Sequence, residues 1–475
     1  MSNSSTSLKI TGPSGGESLG EVSLTPVGEV NAIVEAARKA QPDWSRRTVA
    51  DRAALLEAAA DLLDPQSDEL SVLLASEAGK PLDQAQFEIR ASIGLLRSNA
   101  REACRTAGGR VLPTEGLKGV DHDFVYTRRE PLGVVAAILP FNFPVELYVE
   151  KCAAALVGGN AVVVKPPLED PLAVMRFHKA LHDAGVPSDV LSSVLGDRDV
   201  GAELSQADGI AAVSLTGSTV AGLAVAKAAA PTLRRLHLEL GGNNASLVLN
   251  DADIDLAASE LLRGRLLMNG QACSASKRIV VHRSLHDELA ERIAAGVAQQ
   301  RVGPATDPAT TIGPLITAAA AERVVAQAER AISQGATAVG DAPAADGAFV
   351  APVLLTGVPA DASVASDDEI FGPVFNLIPV DSTAEAIEVA NSSSFGLMSS
   401  VFSVDIKRAV AVAERLHSGG VVVNGTDNYR PPIIPFAGVG LSGTGREGIG
   451  YTIEELTREK TIVLRNFREP EEELQ

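Results

Sequence analysis

The stretch LGVVAAILPFNFPVELYVEKCAAALVGGNAVVVKP, residues 132–166, decides the fold class. It opens on LGVVAAIL, a short apolar run without period-two alternation, as in a strand buried on both faces. A longer segment, FPVELYVEKCAAALV, reads as a helix, and NAVVVKP reads as a second β-branched strand. Strand, helix and strand in that order form a βαβ unit, which requires a parallel sheet covered by helices.

The alternation continues on both sides. Downstream, DPLAVMRFHKALHDAG reads as a helix, SDVLSSVL and GIAAVSL as strands, and STVAGLAVAKAAA as a helix. A second block from about Leu240 to Gly425 repeats the pattern with ASLVLN, DIDLAASELLRGRLL, KRIVVH, HDELAERIAAGVAQQ, AVGD, PVFNLIPV, VFSVD and GGVVVN. Upstream, Val27 to Arg105 carries helical spacing; residues 1–25 read as a loose polar arm and 109–130 as extended chain. KTIVLRNF reads as a last strand before an acidic tail. The expected class is α/β. A chain of 475 residues needs at least two such lobes, because single cores stop growing at roughly 250–300 residues.

Apolar (45%) and charged (21%) fractions are ordinary for a globular protein. A net charge of −19 repels phosphate backbones and anionic lipid, so neither nucleic acid nor a membrane is expected as partner. The three cysteines, Cys104, Cys152 and Cys273, show no CxxC spacing and fit a reducing compartment. MSNSSTSLKITGPSGG lacks the basic-then-apolar order of a secretory signal, and no apolar run reaches the roughly 18 residues of a membrane helix. The expected location is cytoplasmic.

Candidate chemistry sits where strands meet loops. Cys273, in NGQACSASKR, lies in polar, small-residue text between a helix and a strand, whereas Cys104 and Cys152 lie in Ala-rich helical text. Gly270 and Gln271 before it suggest a sharp approach of backbone to something bound. Glu239, in LHLELGGNNA, ends an apolar strand; burial there would favour its neutral form and suit a general base, or the residue pairs structurally. Asn142, in LPFNFP, is either an oxyanion donor or a turn residue. Lys165 ends AVVVKP, where a cation reaches ribose or phosphate, or is an ordinary strand-end lysine. Gly217 and Ser218, in SLTGSTVAG, stand at a helix start whose bare N–H groups could hold a pyrophosphate. GVGLSG (438–443) and GTGREG (443–448) match G-x-G-x-x-G but follow no clear strand and are rejected as dinucleotide fingerprints. His178 and His182, spaced i, i+4, read as surface residues and not as a zinc site.

Taken in order, PDWS (42–45), PFNFP (140–144), GGNAVVVKP (158–166), LTGS (215–218), LELGGNNA (238–245), NGQACSASKRI (269–279), EIFGPV (369–374), FGL (395–397) and PFAGVGLSGTGREG (435–448) closely resemble the aldehyde dehydrogenase superfamily. The resemblance runs from about Val27 to Val463. It implies two Rossmann-like α/β lobes plus a small β oligomerisation extension. The cofactor-binding lobe would take 1–108 and 130–239, the catalytic lobe 240–450, and the extension 109–129 and 451–475. It implies Cys273 as nucleophile, Glu239 as general base and Asn142 as oxyanion amide, working with the Cys273 N–H. Pro140, Phe141, Lys165, Gly217, Ser218, Gly222, Leu240, Glu369 and Phe371 would hold NAD or NADP. Leu147, Tyr148, Glu150, Arg263, Leu267, Ala272 and Ser274 fall where the family lines its aldehyde tunnel. It also implies a homodimer or homotetramer and a small-molecule aldehyde as substrate.

Three departures stand out. Many members carry a glutamate three residues after the lysine that Lys165 resembles, favouring NAD; here that position is Leu168, with Glu169 next, so NADP fits unless a one-residue slip restores the carboxylate. The usual PFGG is PFAG, and the lysine two residues beyond is Gly440. DNYRPPIIP (427–435) resembles the anchor loop of members acting on small polar aldehydes. There Arg430 pairs either with an anionic substrate group or with a protein carboxylate. The rival functions are a CoA-acylating relative, a non-catalytic protein on this fold, and a cofactor-free cysteine hydrolase.

Overall fold

The computed structural model describes residues 7–467 apart from 17 and 107. Residues 1–6 of the N-terminal arm and the acidic tail beyond 467 lie outside them. The rest of that arm is not loose: Ser7–Ile10 and Gly20–Ser23 pair antiparallel. The polar text hid this hairpin because only Ile10 of its strands is buried.

The chain forms two mostly parallel sheets and a small third one. The first sheet runs, in spatial order, Gly443–Thr444, Arg235–Glu239, Ile210–Thr216, Val134–Ile138, Ala161–Lys165 and Leu191–Ser193. Five of the strands are parallel, and Gly443–Thr444 is an antiparallel edge. Val135, Ala137, Val162 and Val164 pack into one core, and Val134, Ala136, Ala161 and Val163 into the other. Both faces are therefore covered, which is why these strands read as continuous apolar runs.

The second sheet runs Thr337–Val339, Val353–Thr356, Val374–Val380, Arg278–His282, Ala245–Val248, Met398–Phe402 and Gly420–Val423. It is parallel except for its first strand. The third sheet joins Thr457–Leu464 to Phe124–Pro131, with Val111–Leu112 beyond. Among the described residues no helix is long and apolar enough to cross a membrane.

Strand order places the chemistry. Glu239, Thr216, Ile138 and Lys165 end four adjacent parallel strands, with Thr216 in register with Glu239 and Ile138 with Lys165. The loops after the carboxyl ends of such strands form the ligand crevice of an open α/β sheet. The segment from Leu240 onward then leads directly into the second sheet, so the crevice opens between the two.

Candidate active site

A cavity of about 1300 Å³ occupies that crevice, and Cys273, Glu239 and Asn142 all line it. The loop before Cys273 is held in an unusual shape. Met268, Asn269 and Gly270 have φ of 52°, 56° and 80°, a left-handed run that non-glycine residues adopt only when the surroundings enforce it. Asn269 supplies that enforcement: its amide donates to the Gly79 and Pro314 carbonyls and its oxygen accepts from the Gly313 N–H. A Cβ on Gly270 would lie 2.3 Å from the Gly372 carbonyl carbon. The close approach anticipated at Gly270 is thus to protein backbone, not to a ligand.

Asn142 donates its side-chain amide to the Gln271 carbonyl at 2.8 Å. One of its two N–H bonds is so fixed, and the other remains for the cavity. Cys273 carries its thiol into the same space. Burial raises its pKa to about 11, with Arg430 and Lys277 favouring the thiolate and Glu239 and Glu369 opposing it. Glu239 is 2% exposed, and neither carboxyl oxygen has a protein partner among the described residues. Desolvation, reinforced by the negative Glu447, pushes its pKa well above the carboxylate range despite Arg430 and Lys151.

Glu447 forms the charged wall behind these groups. It takes the Lys151 ammonium on one oxygen at 2.6 Å and the Arg430 guanidinium on the other at 2.5 Å. Burial opposes its ionisation, but the two cations prevail and hold its pKa at about 2. Neither Lys151 nor Glu447 stands out in the sequence, although a lysine inside an apolar helix is itself a signal. Glu447 lies within GTGREG, the match rejected as a dinucleotide fingerprint.

The expected cofactor positions divide. Pro140, Phe141, Lys165, Gly217, Ser218, Leu240, Glu369 and Phe371 line the cavity. Gly222 does not; it makes room for Leu240, whose methyls would lie 2.5 Å from a Cβ there. The Gly217 N–H is not bare, since it donates to the Glu239 carbonyl at 3.0 Å. Ser218 caps the helix Thr219–Ala229 by accepting from the Ala221 N–H. Lys165 is joined in the lining by Leu168, Glu169 and Arg198.

A dinucleotide fits this lining. The capped helix start presents its positive end to the cavity, where a pyrophosphate would lie. Gly241 lies under Glu369, because a Cβ would fall 2.4 Å from the Glu369 Oε2 atom and close the space.

Of the expected substrate positions, Leu147, Ser274 and Arg430 line the cavity, as do Arg263 and Leu267. Tyr148 and Ala272 do not. Tyr148 follows Leu147 on a helix, about 100° further round, and is fully buried, with its hydroxyl against His178 Nδ1 at 3.2 Å. Ala272 is fully buried. Glu150 is also turned away, bonded to Thr452 and the Gly448 N–H. His178 is buried and not a surface residue, and its Nε2 meets that of His182 at 3.1 Å. Among the described residues no three His, Cys, Asp or Glu side chains are grouped to hold a metal ion.

Comparison with known proteins gives the family. The Aldehyde dehydrogenase family profile matches residues 1–462. The betaine aldehyde dehydrogenase of Rhizobium etli is 36% identical over 459 residues, which span 95% of this chain and 92% of that protein. An aldehyde dehydrogenase structure from Brucella melitensis biovar abortus 2308 superposes with a TM-score of 0.92 at 36% identity, covering 97% of this chain and 94% of that one. The NADP-dependent glyceraldehyde-3-phosphate dehydrogenase from Bacillus halodurans C-125, complexed with NADP, gives 0.93 at 35% identity, covering 98% and 96%. Sequence, fold and the cavity of Cys273, Glu239 and Asn142 agree: this chain belongs to the aldehyde dehydrogenase family, enzymes that oxidise aldehydes with NAD or NADP.

Proposed function

We propose that the chain oxidises an aldehyde to a carboxylic acid through a thioester on Cys273 that water hydrolyses. The observation that carries this is Glu239: a buried carboxyl without a protein partner among the described residues, opening on the cavity of the thiol. Such a group suits a general base for water and has no evident structural use.

The Cys273 sulfur adds as thiolate to the carbonyl carbon, and the thiol proton leaves to a base or to solvent. The oxyanion accepts from the free Asn142 N–H and the Cys273 backbone N–H. When bound, the oxidised nicotinamide supplies the two-electron acceptor for passage from the hemithioacetal to the thioester. Glu239 then takes a proton from water, the resulting oxygen bonds to the acyl carbon, the C–S bond breaks, and the thiolate is regenerated with the acid.

The substrate we assign is a small polar aldehyde. Ser274 and Asn428, 2.5 Å apart, offer polar contacts beside Leu147 and Leu267. Arg430 is engaged by Glu447, which weakens an anionic-group reading. We further propose a cytoplasmic location and the three-stranded sheet as the oligomer contact.

The test is Glu239→Gln incubated with an aldehyde panel and NAD or NADP. Intact-protein and peptide masses should show an acyl group accumulating on Cys273. Absence of any acyl mass, with reduced nicotinamide still formed, would overturn the thioester. Release of acyl-CoA in preference to acid by the native protein would establish the CoA-acylating alternative.

A further inference from the structure

Lys277 ties together three parts of the site, and nothing in its sequence context announces it. Its side chain is fully buried, and its three N–H bonds each have an acceptor. These are the Gly242 carbonyl at 2.5 Å, the Cys273 carbonyl at 2.8 Å and the Glu369 Oε1 at 2.6 Å. The Phe371 ring lies 5.4 Å from the ammonium. Gly242 belongs to the loop that follows Glu239, Cys273 is the nucleophile, and Glu369 faces the cavity. An ammonium has three donors and no acceptor, so this lysine is saturated by the site and has none left for substrate.

Two of the three contacts bear on geometry the chemistry needs. The Cys273 carbonyl is gripped from two sides, by Lys277 and by the Asn244 amide at 2.8 Å. That fixes the peptide following the thiol. The Glu369 Oε1 is gripped by Lys277 and by the Gly242 N–H at 3.3 Å, leaving Oε2 above Gly241.

We propose that Lys277 is a positioning residue that holds the Cys273 peptide and the Glu369 carboxylate together, so that one ammonium sets both thiol reactivity and cofactor affinity. The cofactor half rests on the proposed role of Glu369 in holding NAD or NADP; the thiol half does not. Lys277 and Arg430 are the cations acting on the Cys273 sulfur, against Glu239 and Glu369. Removing Lys277 therefore removes a thiolate-favouring charge as well as a tether.

Lys277→Met tests this by two readouts that need no turnover. Calorimetric titration with NAD and NADP should show Kd raised about tenfold or more, the loss of one charge-assisted contact. Iodoacetamide alkylation of the Cys273 peptide, followed by mass without cofactor, should slow about tenfold at fixed pH, with its pH midpoint moved upward. Propylammonium added to Lys277→Ala should restore part of the alkylation rate. Glu369→Gln should weaken cofactor binding while alkylation does not slow.

A folded Lys277→Met whose alkylation profile is unchanged overturns the proposal. If alkylation slows but Glu369→Gln binds cofactor normally, the joint claim is overturned at its cofactor half, and the assignment of Glu369 is what failed. Should Lys277→Met not fold, Lys277→Gln, which keeps two donors, takes its place in both measurements, and the same results support or overturn the proposal.

Discussion

Arg430 and Glu447 meet at 2.5 Å, with the guanidinium stacked 4.2 Å over the Phe436 ring. The other Glu447 oxygen holds Lys151. One buried carboxylate thus balances two cations in the wall of the cavity. Arg430→Met leaves Glu447 paired with Lys151 and removes one hydrogen bond to a charged group, so it should cost about 1.5–3 kcal/mol in denaturant unfolding. The ratio of kcat/KM for anionic over neutral aldehydes should change by less than about threefold, under 1 kcal/mol. A selective loss of tenfold or more for anionic aldehydes would return Arg430 to substrate binding.

Asn142 is pinned by the Gln271 carbonyl, so its free N–H is aimed before substrate arrives. Asn142→Ala should lower kcat by roughly 10²–10³, the usual loss for one oxyanion donor. KM should move little. A drop below fivefold in steady-state kinetics would remove the amide from the mechanism.

The thiol of Cys273, raised to about 11 by burial, should be sluggish at neutral pH without cofactor. Its inactivation by iodoacetamide should climb roughly tenfold per pH unit and level off only near that value. A plateau below pH 8 would show a thiolate already stabilised at rest.

Glu239 should weaken the protein it serves. Its folded pKa lies above the unfolded value, so the native state binds the extra proton. That contribution is complete below the unfolded carboxylate range and is lost as pH rises through the folded pKa. At alkaline pH, Glu239→Gln should therefore be more stable than the native chain by about 1–3 kcal/mol, while acid release stops. Equal unfolding midpoints from pH 5 to 9 would contradict the burial argument.

Lys165, Leu168 and Glu169 all line the cavity, and a second carboxylate at position 168 would add repulsion against a 2′-phosphate. Leu168→Glu should raise KM for NADP relative to NAD by about tenfold, one like-charge contact. Unchanged KM values would mean that the cofactor's ribose does not reach this residue.

The sheets were legible because burial on both faces leaves a strong trace. Val134–Ile138 and Ala161–Lys165 have no polar side to confuse the reading. The hairpin at Ser7–Ile10 left none, since its side chains are mostly exposed. Cys273, Glu239 and Asn142 stood out once the ordered landmarks were seen together. Tyr148 and Ala272 did not reach the cavity, because helix phase and loop curvature decide which neighbour faces inward. Lys277 escaped notice for another reason: its three acceptors come from loops separated by more than a hundred positions at the extreme. No local pattern encodes such a meeting.

The short edge strand Gly443–Thr444, paired to Leu238 and Glu239, gives this enzyme a late moment of assembly. The Leu240 N–H also closes on the Ser442 carbonyl. A ribosome will already have released the strand carrying Glu239 some two hundred residues before its neighbour emerges. Until then Glu239 lacks its flanking backbone and Glu447 has not arrived. A nascent chain can thus complete most of both sheets before the wall beside Glu239 closes.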